Sequence, residues 1–217
     1  MKKKMNVKTM VLLAMLAAIA FLLVALIRIP VVMFLSYEPK DVVIAIGGFL
    51  LGPMASFVIS LVVSFLEMVT ISSTGPIGAV MNLLSTCSFA CTAAIIYKRK
   101  RTLGGAVIGL LSGSVVMVGV MLLWNYLITP LYMTGTSRSD IAAMLIPVFL
   151  PFNALKAGFN SALTLMLYKP LVSALRKTGL IPKTSSKPAS AKWGIYLLGA
   201  ALLATCILLL LVLRGII

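Results

Sequence analysis

Long apolar runs separated by short polar clusters set the rhythm of this chain. The first run covers residues 8–27 and gives way to a polar stretch holding Pro30, Tyr37, Glu38, Pro39 and Asp41. Residues 42–70 are almost continuously apolar, interrupted by Gly52-Pro53 and, late, by Glu67. Further runs occupy 77–97, 103–128, 145–174 and 193–213. Most of them reach the roughly 20 residues that a helix needs to cross a bilayer core of about 30 Å. Backbone polar groups find no water at that depth, and a helix satisfies them within its own segment. The pattern therefore predicts an all-α integral membrane protein, with Asp41 as the N-cap of the helix that starts at 42.

Charge decides whether residues 42–70 cross once or fold back. Lysines and arginines concentrate on cytoplasmic loops. If Lys2-Lys3-Lys4 is cytoplasmic and 42–70 crosses once, the cluster Lys98-Arg99-Lys100-Arg101 falls outside, against that bias. A break at Gly52-Pro53, a strong helix-breaking pair, returns the cluster to the cytoplasm. It also returns the linker carrying Arg176, Lys177, Lys183, Lys187 and Lys192. The hairpin reading is adopted. It puts Arg28, Lys40, Arg138 and Arg214 outside, together with all four carboxylates: Glu38, Asp41, Glu67 and Asp140. The short helix 42–51 cannot cross comfortably, so it is expected to pack inside the bundle beneath an outer loop, leaving a cavity open to the outside.

Composition agrees: 61% of residues are hydrophobic, 11% are charged and mean hydropathy is +1.15. The net charge of +15 does not point to nucleic acid, because the cations sit in short runs between apolar segments with no aromatic-interleaved groove. The apolar run from Met10 to Ile27 is longer than the roughly 7–15 residues of a signal-peptide core, so it is read as a retained first helix. Cys87, Cys91 and Cys206 have no histidine anywhere in the chain to join them, and no metal site or catalytic residue is expected. There is no P-loop motif, no Ser-His pair and no pair of similar halves. The chain has the makings of a binding site without an energy source of its own.

Lys156 carries the chemistry. A cation at membrane depth is costly and faces a cavity, a partner or a substrate. Asn153 lies three residues earlier on the same helix face. Asn125, Asn82 and the Ser72-Ser73-Thr74-Gly75-Pro76 turn fall at the same outer depth. Amides and one ammonium suit a neutral, planar, carbonyl-rich ligand between apolar walls. Two competing readings are that each asparagine bonds a neighbouring helix, and that Lys156 pairs with Glu67 or Asp41. Small-residue spacings (Ala14 and Ala18; Gly48 and Gly52; Gly105, Gly109 and Gly113) allow close helix approach, as intramolecular packing or as a docking face.

These segments resemble the substrate-binding S components of energy-coupling factor (ECF) vitamin transporters, in particular the riboflavin-specific type. The resemblance spans about 10–176. It rests on Ala14-x-x-x-Ala18, on Tyr37-Glu38-Pro39-Lys40-Asp41 leading into Gly47-Gly48-Phe49-Leu50-Leu51-Gly52-Pro53, on Ser73-Thr74-Gly75-Pro76-Ile77-Gly78, on Asn125-Tyr126 and on Phe152-Asn153-x-x-Lys156. It implies a six-helix S-component bundle with a short second helix (1–175), followed here by a basic cytoplasmic linker (176–192) and an additional C-terminal transmembrane helix (193–213) that the usual pattern lacks. It implies a multi-pass protein of the cell membrane with a cytoplasmic N-terminus. Riboflavin is the implied ligand, as cargo and not as a cofactor, with a transmembrane coupling subunit and two ATPases as partners. The implied ligand contacts are Asn125, Asn153 and Lys156, with Leu35, Tyr37 and Asp41 in an external lid; Asn82 and Thr74 join them by depth. Ala14 and Ala18 would face the coupling subunit. Another vitamin (thiamin, pantothenate or a folate) would suit Lys156 equally, and a standalone channel or carrier, or a ligand-free assembly subunit, stays open as a different class.

Overall fold

Gly52 ends one helix and Pro53 starts the next. Gly52 has φ 99°, in the left-handed region that only glycine enters freely, and Pro53 takes the first helical position, where its missing N–H has no bond to lose. The resulting hairpin joins α2 (Lys40–Leu51) to α3 (Pro53–Thr70). The computed structural model describes residues 6–33, 35–72, 74–133, 135–177 and 193–215. At 12 residues, about 18 Å of helix, α2 is too short to cross a bilayer core. It lies instead inside the bundle, with every residue from Lys40 to Phe49 buried, packed on α1 (Val7–Leu26), α3, α4 (Gly75–Arg99) and α7 (Leu150–Lys177).

Among the described residues six helical segments are long and apolar enough to cross a membrane: Val7–Leu26, Pro53–Thr70, Gly75–Arg99, Leu103–Leu131, Arg138–Ala174 and Tyr196–Leu213. The most extensively packed helix pair is α4 with α5 (Leu103–Tyr132). A Cβ on Gly109 would lie 2.7 Å from the Ala93 carbonyl oxygen, and one on Gly113 would lie 2.5 Å from that of Phe89. This glycine stripe is therefore used within the bundle. Ala14 and Ala18 differ: both are exposed, on the side of α1 away from its buried Leu12, Leu16 and Ala20.

Three expectations need correction. The stretch after α1 is not irregular: β1 (Ile29–Val32) and β2 (Leu35–Tyr37) pair antiparallel, with an irregularity in register between Pro30 and Val32. The β-branched Ile29, Val31 and Val32 favour the strand, and Pro30 cannot donate to a ladder. Asp41 is not a cap; α2 begins two residues before 42, at Lys40 after Pro39, and the Asp41 carboxylate is bonded elsewhere. The sixth crossing starts seven residues before 145. Ser137 and Asp140 form a reciprocal capping box for α6 (Arg138–Met144), which continues through a π-helical turn (Leu145–Phe149) into α7.

The last helix, α8 (Trp193–Leu213), packs along α7. Gly158 faces Cys206 and Gly199 faces Met166, so the two helices run antiparallel and α8 returns toward the hairpin. There Leu210 and Leu213 pack on a cluster holding Val31, Leu35 and Tyr37, and Arg214 donates to the Pro30 carbonyl. A chain ending at Lys177 should therefore exchange its amides faster across residues 29–37 while α4 and α5 stay protected, as read by hydrogen–deuterium exchange; equal protection of the hairpin would mean that α8 does not brace it.

Candidate functional site

The β1–β2 hairpin roofs a cavity of about 310 Å³, the size at which small-molecule sites begin. One face of α4 supplies Ile77, Gly78, Met81, Asn82 and Ser85, spaced at helical turns. Across from it stand Met121 and Asn125 of α5, and Phe152, Asn153 and Lys156 of α7. Leu35, Ser36 and Glu38 come from the hairpin and its exit, and Ser72 and Thr74 from the turn before α4. The walls are apolar side chains, and the polar groups are few and held in place. Asn125 donates from Nδ2 to the Met121 carbonyl (2.7 Å) and accepts from Thr129 Oγ1 (3.0 Å). Asn153 donates to the carbonyl of Phe149 (2.8 Å), the last residue of the π-helical turn. One amide hydrogen of each asparagine is thereby fixed, which orients the remaining donor and acceptor positions.

Behind this lining runs a buried ionic network. Lys40 Nζ sits 2.6 Å from both Glu67 oxygens and 2.9 Å from Glu38 Oε2, with the Lys40 side chain 1% exposed. Glu38 also accepts from Arg28 Nε (2.8 Å), and Glu67 from Asn82 Nδ2 (2.8 Å). A second branch centres on Asp41, which accepts from Thr86 Oγ1 (2.6 Å) and Asn160 Nδ2 (3.1 Å) and lies 3.5 Å from Lys156 Nζ. Lys156 also reaches Ser85 Oγ at 3.5 Å. Tyr37 donates from its hydroxyl to Asn160 Oδ1 (3.2 Å) and stacks at a tilt on Phe159. Burial raises the Tyr37 hydroxyl above its usual range, with Asp41 adding to the effect, so it stays a donor. Burial alone would raise the Glu38 carboxyl too, yet Lys40, Lys156 and Arg28 together hold it below the usual carboxylate range. The hairpin anchor is thus present above ordinary carboxylate titration and persists into mild acid, failing only as pH drops through the lowered value. Three cations (Arg28, Lys40, Lys156) face three carboxylates (Glu38, Asp41, Glu67), so the cavity surroundings sum to zero charge.

The sequence model for the substrate-specific component of ECF transporters matches residues 8–168. The chain belongs to this family. It is 31% identical over 187 residues to the riboflavin transporter RibU of Staphylococcus aureus (strain TCH60), covering 81% of this chain and 98% of that one. It is 29% identical over 163 residues to the riboflavin transporter FmnP of Bacillus subtilis (strain 168), covering 70% and 85%. A solved structure described as that of the S component of a bacterial ECF transporter superposes with a TM-score of 0.64 at 32% identity, over 78% of this chain and 98% of the other. The protein is thus an all-α, multi-pass membrane S component, a transport subunit and not an enzyme, and α8 lies beyond the family's matched span.

Within the S component, Asn125, Asn153, Lys156, Asn82, Leu35 and Thr74 line the one cavity, although they come from four separate parts of the chain. Tyr37 and Asp41 do not line it; both lie behind it, committed to Asn160, and Asp41 positions Lys156. Asn82 spends a donor on Glu67, so its amide is partly structural. Lys156 has Asp41 beside it, while Glu67 is taken by Lys40. Sequence reasoning missed Asn160, Thr86 and Ser85, and it placed Lys40 among outward-facing cations when it is buried. Asn160 was findable, since positions 153, 156 and 160 follow one helical face. Lys40→Met should leave Glu38 and Glu67 buried side by side and lower stability by about 3–5 kcal/mol. Thermal unfolding in detergent should show that loss, against almost none for the exposed Lys98→Met; equal midpoints would make the network energetically idle.

Proposed function

We propose that this S component captures riboflavin from outside the cell and hands it to an ATP-driven import complex. The observation that carries this reading is the charge-balanced cavity holding two oriented asparagines and one lysine. The flavin's dioxopyrimidine edge presents acceptor, donor and acceptor in a row. Asn125, Asn153 and Lys156 offer the complementary donors and acceptor, while Met81, Met121, Phe152 and Leu35 suit the apolar faces of the ring. The neutrality of the surroundings favours a neutral vitamin over an anionic one. The two riboflavin transporters among its relatives, covered over 98% and 85% of their lengths, support the same choice.

The protein sits in the cell membrane with its N-terminus in the cytoplasm, so the cavity opens outward beneath the hairpin. The hairpin acts as the lid, Leu35 touching the vitamin while Tyr37 and Asp41 hold the lid and Lys156 in register. The exposed Ala14-Ala18 face of α1 docks a transmembrane coupling subunit, and two ATPases supply the energy. Transport follows if the coupling subunit binds loaded and empty forms with different affinity.

Titration of the purified protein should quench riboflavin fluorescence, and no quenching at micromolar vitamin would remove this reading. Lys156→Ala should weaken affinity by about 10- to 100-fold, the equivalent of one charge-assisted hydrogen bond, with insertion unchanged. A tighter response to thiamin, pantothenate or folate in the same assay would move the assignment to another vitamin.

A further inference from the structure

A second cavity, also about 310 Å³, opens at the other end of the bundle. It is lined by Phe49, Tyr97, Arg101, Leu103, Thr164, Tyr168 and Lys169, among others. On α5, its Ala106 and the first cavity's Met121 are separated by 121 − 106 = 15 residues, about 22 Å along the helix. The wall toward α2 is an aromatic trio: Phe49 lies 4.4 Å from Tyr97 and 5.7 Å from Tyr168 between ring centroids, and the two tyrosine hydroxyls share a 2.7 Å hydrogen bond. Arg101 and Lys169 stand at this cavity beside the first turn of α5, whose N-cap Thr102 accepts from Gly105 N–H. Helix N-termini attract anions.

Two independent observations point to a ligand here. Thr164 is fully buried in the lining, and its hydroxyl has no hydrogen-bond partner. A hydroxyl in that position is one that a ligand's oxygen would satisfy. The second observation is electrostatic. The whole chain has four carboxylates, and all are spent elsewhere: Glu38, Asp41 and Glu67 in the network at the first cavity, and Asp140 in the α6 cap. Arg101 and Lys169, together with the adjacent Lys98, Arg99 and Lys100, therefore have no acidic partner that this chain could provide.

We propose that this cavity binds an anionic phospholipid, its phosphate between Arg101, Lys169 and the α5 N-terminus. An ester carbonyl accepts from Thr164, and an acyl chain lies against the aromatic trio. Surface position fits a lipid and not a soluble metabolite: Leu103 at the rim is 41% exposed, as expected of a side chain that meets acyl chains. Basic pockets between helices near a membrane surface are where lipid head groups settle. The consequence for this S component is a lipid that clamps α4, α5 and α7 together at the end of the bundle opposite the first cavity.

The test uses the full chain, with dioleoyl-phosphatidylglycerol and dioleoyl-phosphatidylcholine as probes and inorganic phosphate as the soluble control. Native mass spectrometry should find one phosphatidylglycerol retained roughly tenfold more strongly than phosphatidylcholine, a ratio within reach of two cations at an anionic surface. Thermal unfolding should shift upward with phosphatidylglycerol alone. Arg101→Gln with Lys169→Gln should abolish both effects, and Thr164→Val should weaken them. Lys98→Gln with Arg99→Gln, which alters exposed cations outside the cavity, should leave both intact. Equal losses in the two double variants would reduce the effect to the general positive field and overturn the site. A shift produced by inorganic phosphate alone would make it a free-anion site, and equal retention of the two lipids by the unaltered protein overturns the proposal whether or not the variants fold. Riboflavin plays no part in any readout, so this result is independent of the vitamin assignment.

Discussion

The buried pairing of Lys40 with Glu67 and Glu38 is the constraint on which the rest of the site depends. Three side chains from two separated parts of the chain, Glu38 and Lys40 at the start of α2 and Glu67 near the end of α3, meet with almost no access to solvent. Each charge would be prohibitively unstable alone, and each is tolerable only while the others are in place. The pairing ties the start of α2 to the end of α3 and, through Glu38 and Arg28, to the base of the hairpin. The short helix, the roof over the cavity and the polar rim of α4 at Asn82 are therefore one unit. Removing any member releases more than a single contact.

Because this network consumes its own charge, it leaves the cavity polar without a net field. The Asp41 branch extends the same logic: one carboxylate takes Thr86, Asn160 and Lys156, and so sets the lysine where it can face both a carboxylate and the cavity. A proton relay would need a carboxylate free to change state, and here each of the three is held by a cation. Recognition of a neutral, hydrogen-bonding ring is what remains. Meanwhile the other end of the bundle carries cations with no internal partners. The molecule is thus electrostatically two-ended: self-neutralised where a vitamin would enter, and dependent on its surroundings where the bilayer surface lies.

Much of this arrangement was legible in the sequence. The hairpin at Gly52-Pro53 followed from charge bookkeeping across the crossings, and the glycine stripe of α5 from its four-residue spacing. That Asn82, Asn125, Asn153 and Lys156 share one depth also followed from counting crossings, and all four line one cavity. What was hidden has a physical cause. Pairing across sequence distance leaves no local pattern, so Lys40 read as one more loop cation although it meets a glutamate 27 residues away. Asp41 read as a cap because helix starts favour aspartate, and only tertiary packing shows that Thr86 and Asn160 claim it. The strands of the hairpin are too short for alternation to register, and the early start of the sixth crossing was masked by the polar capping box that begins it. Hydropathy reveals where a helix is buried in lipid; it does not reveal which polar groups meet inside.

The central claim is that Lys156 serves the ligand because Asp41 holds it there. A double-mutant cycle on riboflavin affinity with Asp41→Asn, Lys156→Met and the combined variant measures this coupling directly. If the account is right, each single change weakens binding and the combined variant binds no more weakly than Lys156→Met alone. Losses that simply add would contradict it, and would mean that the aspartate and the lysine act on the vitamin independently.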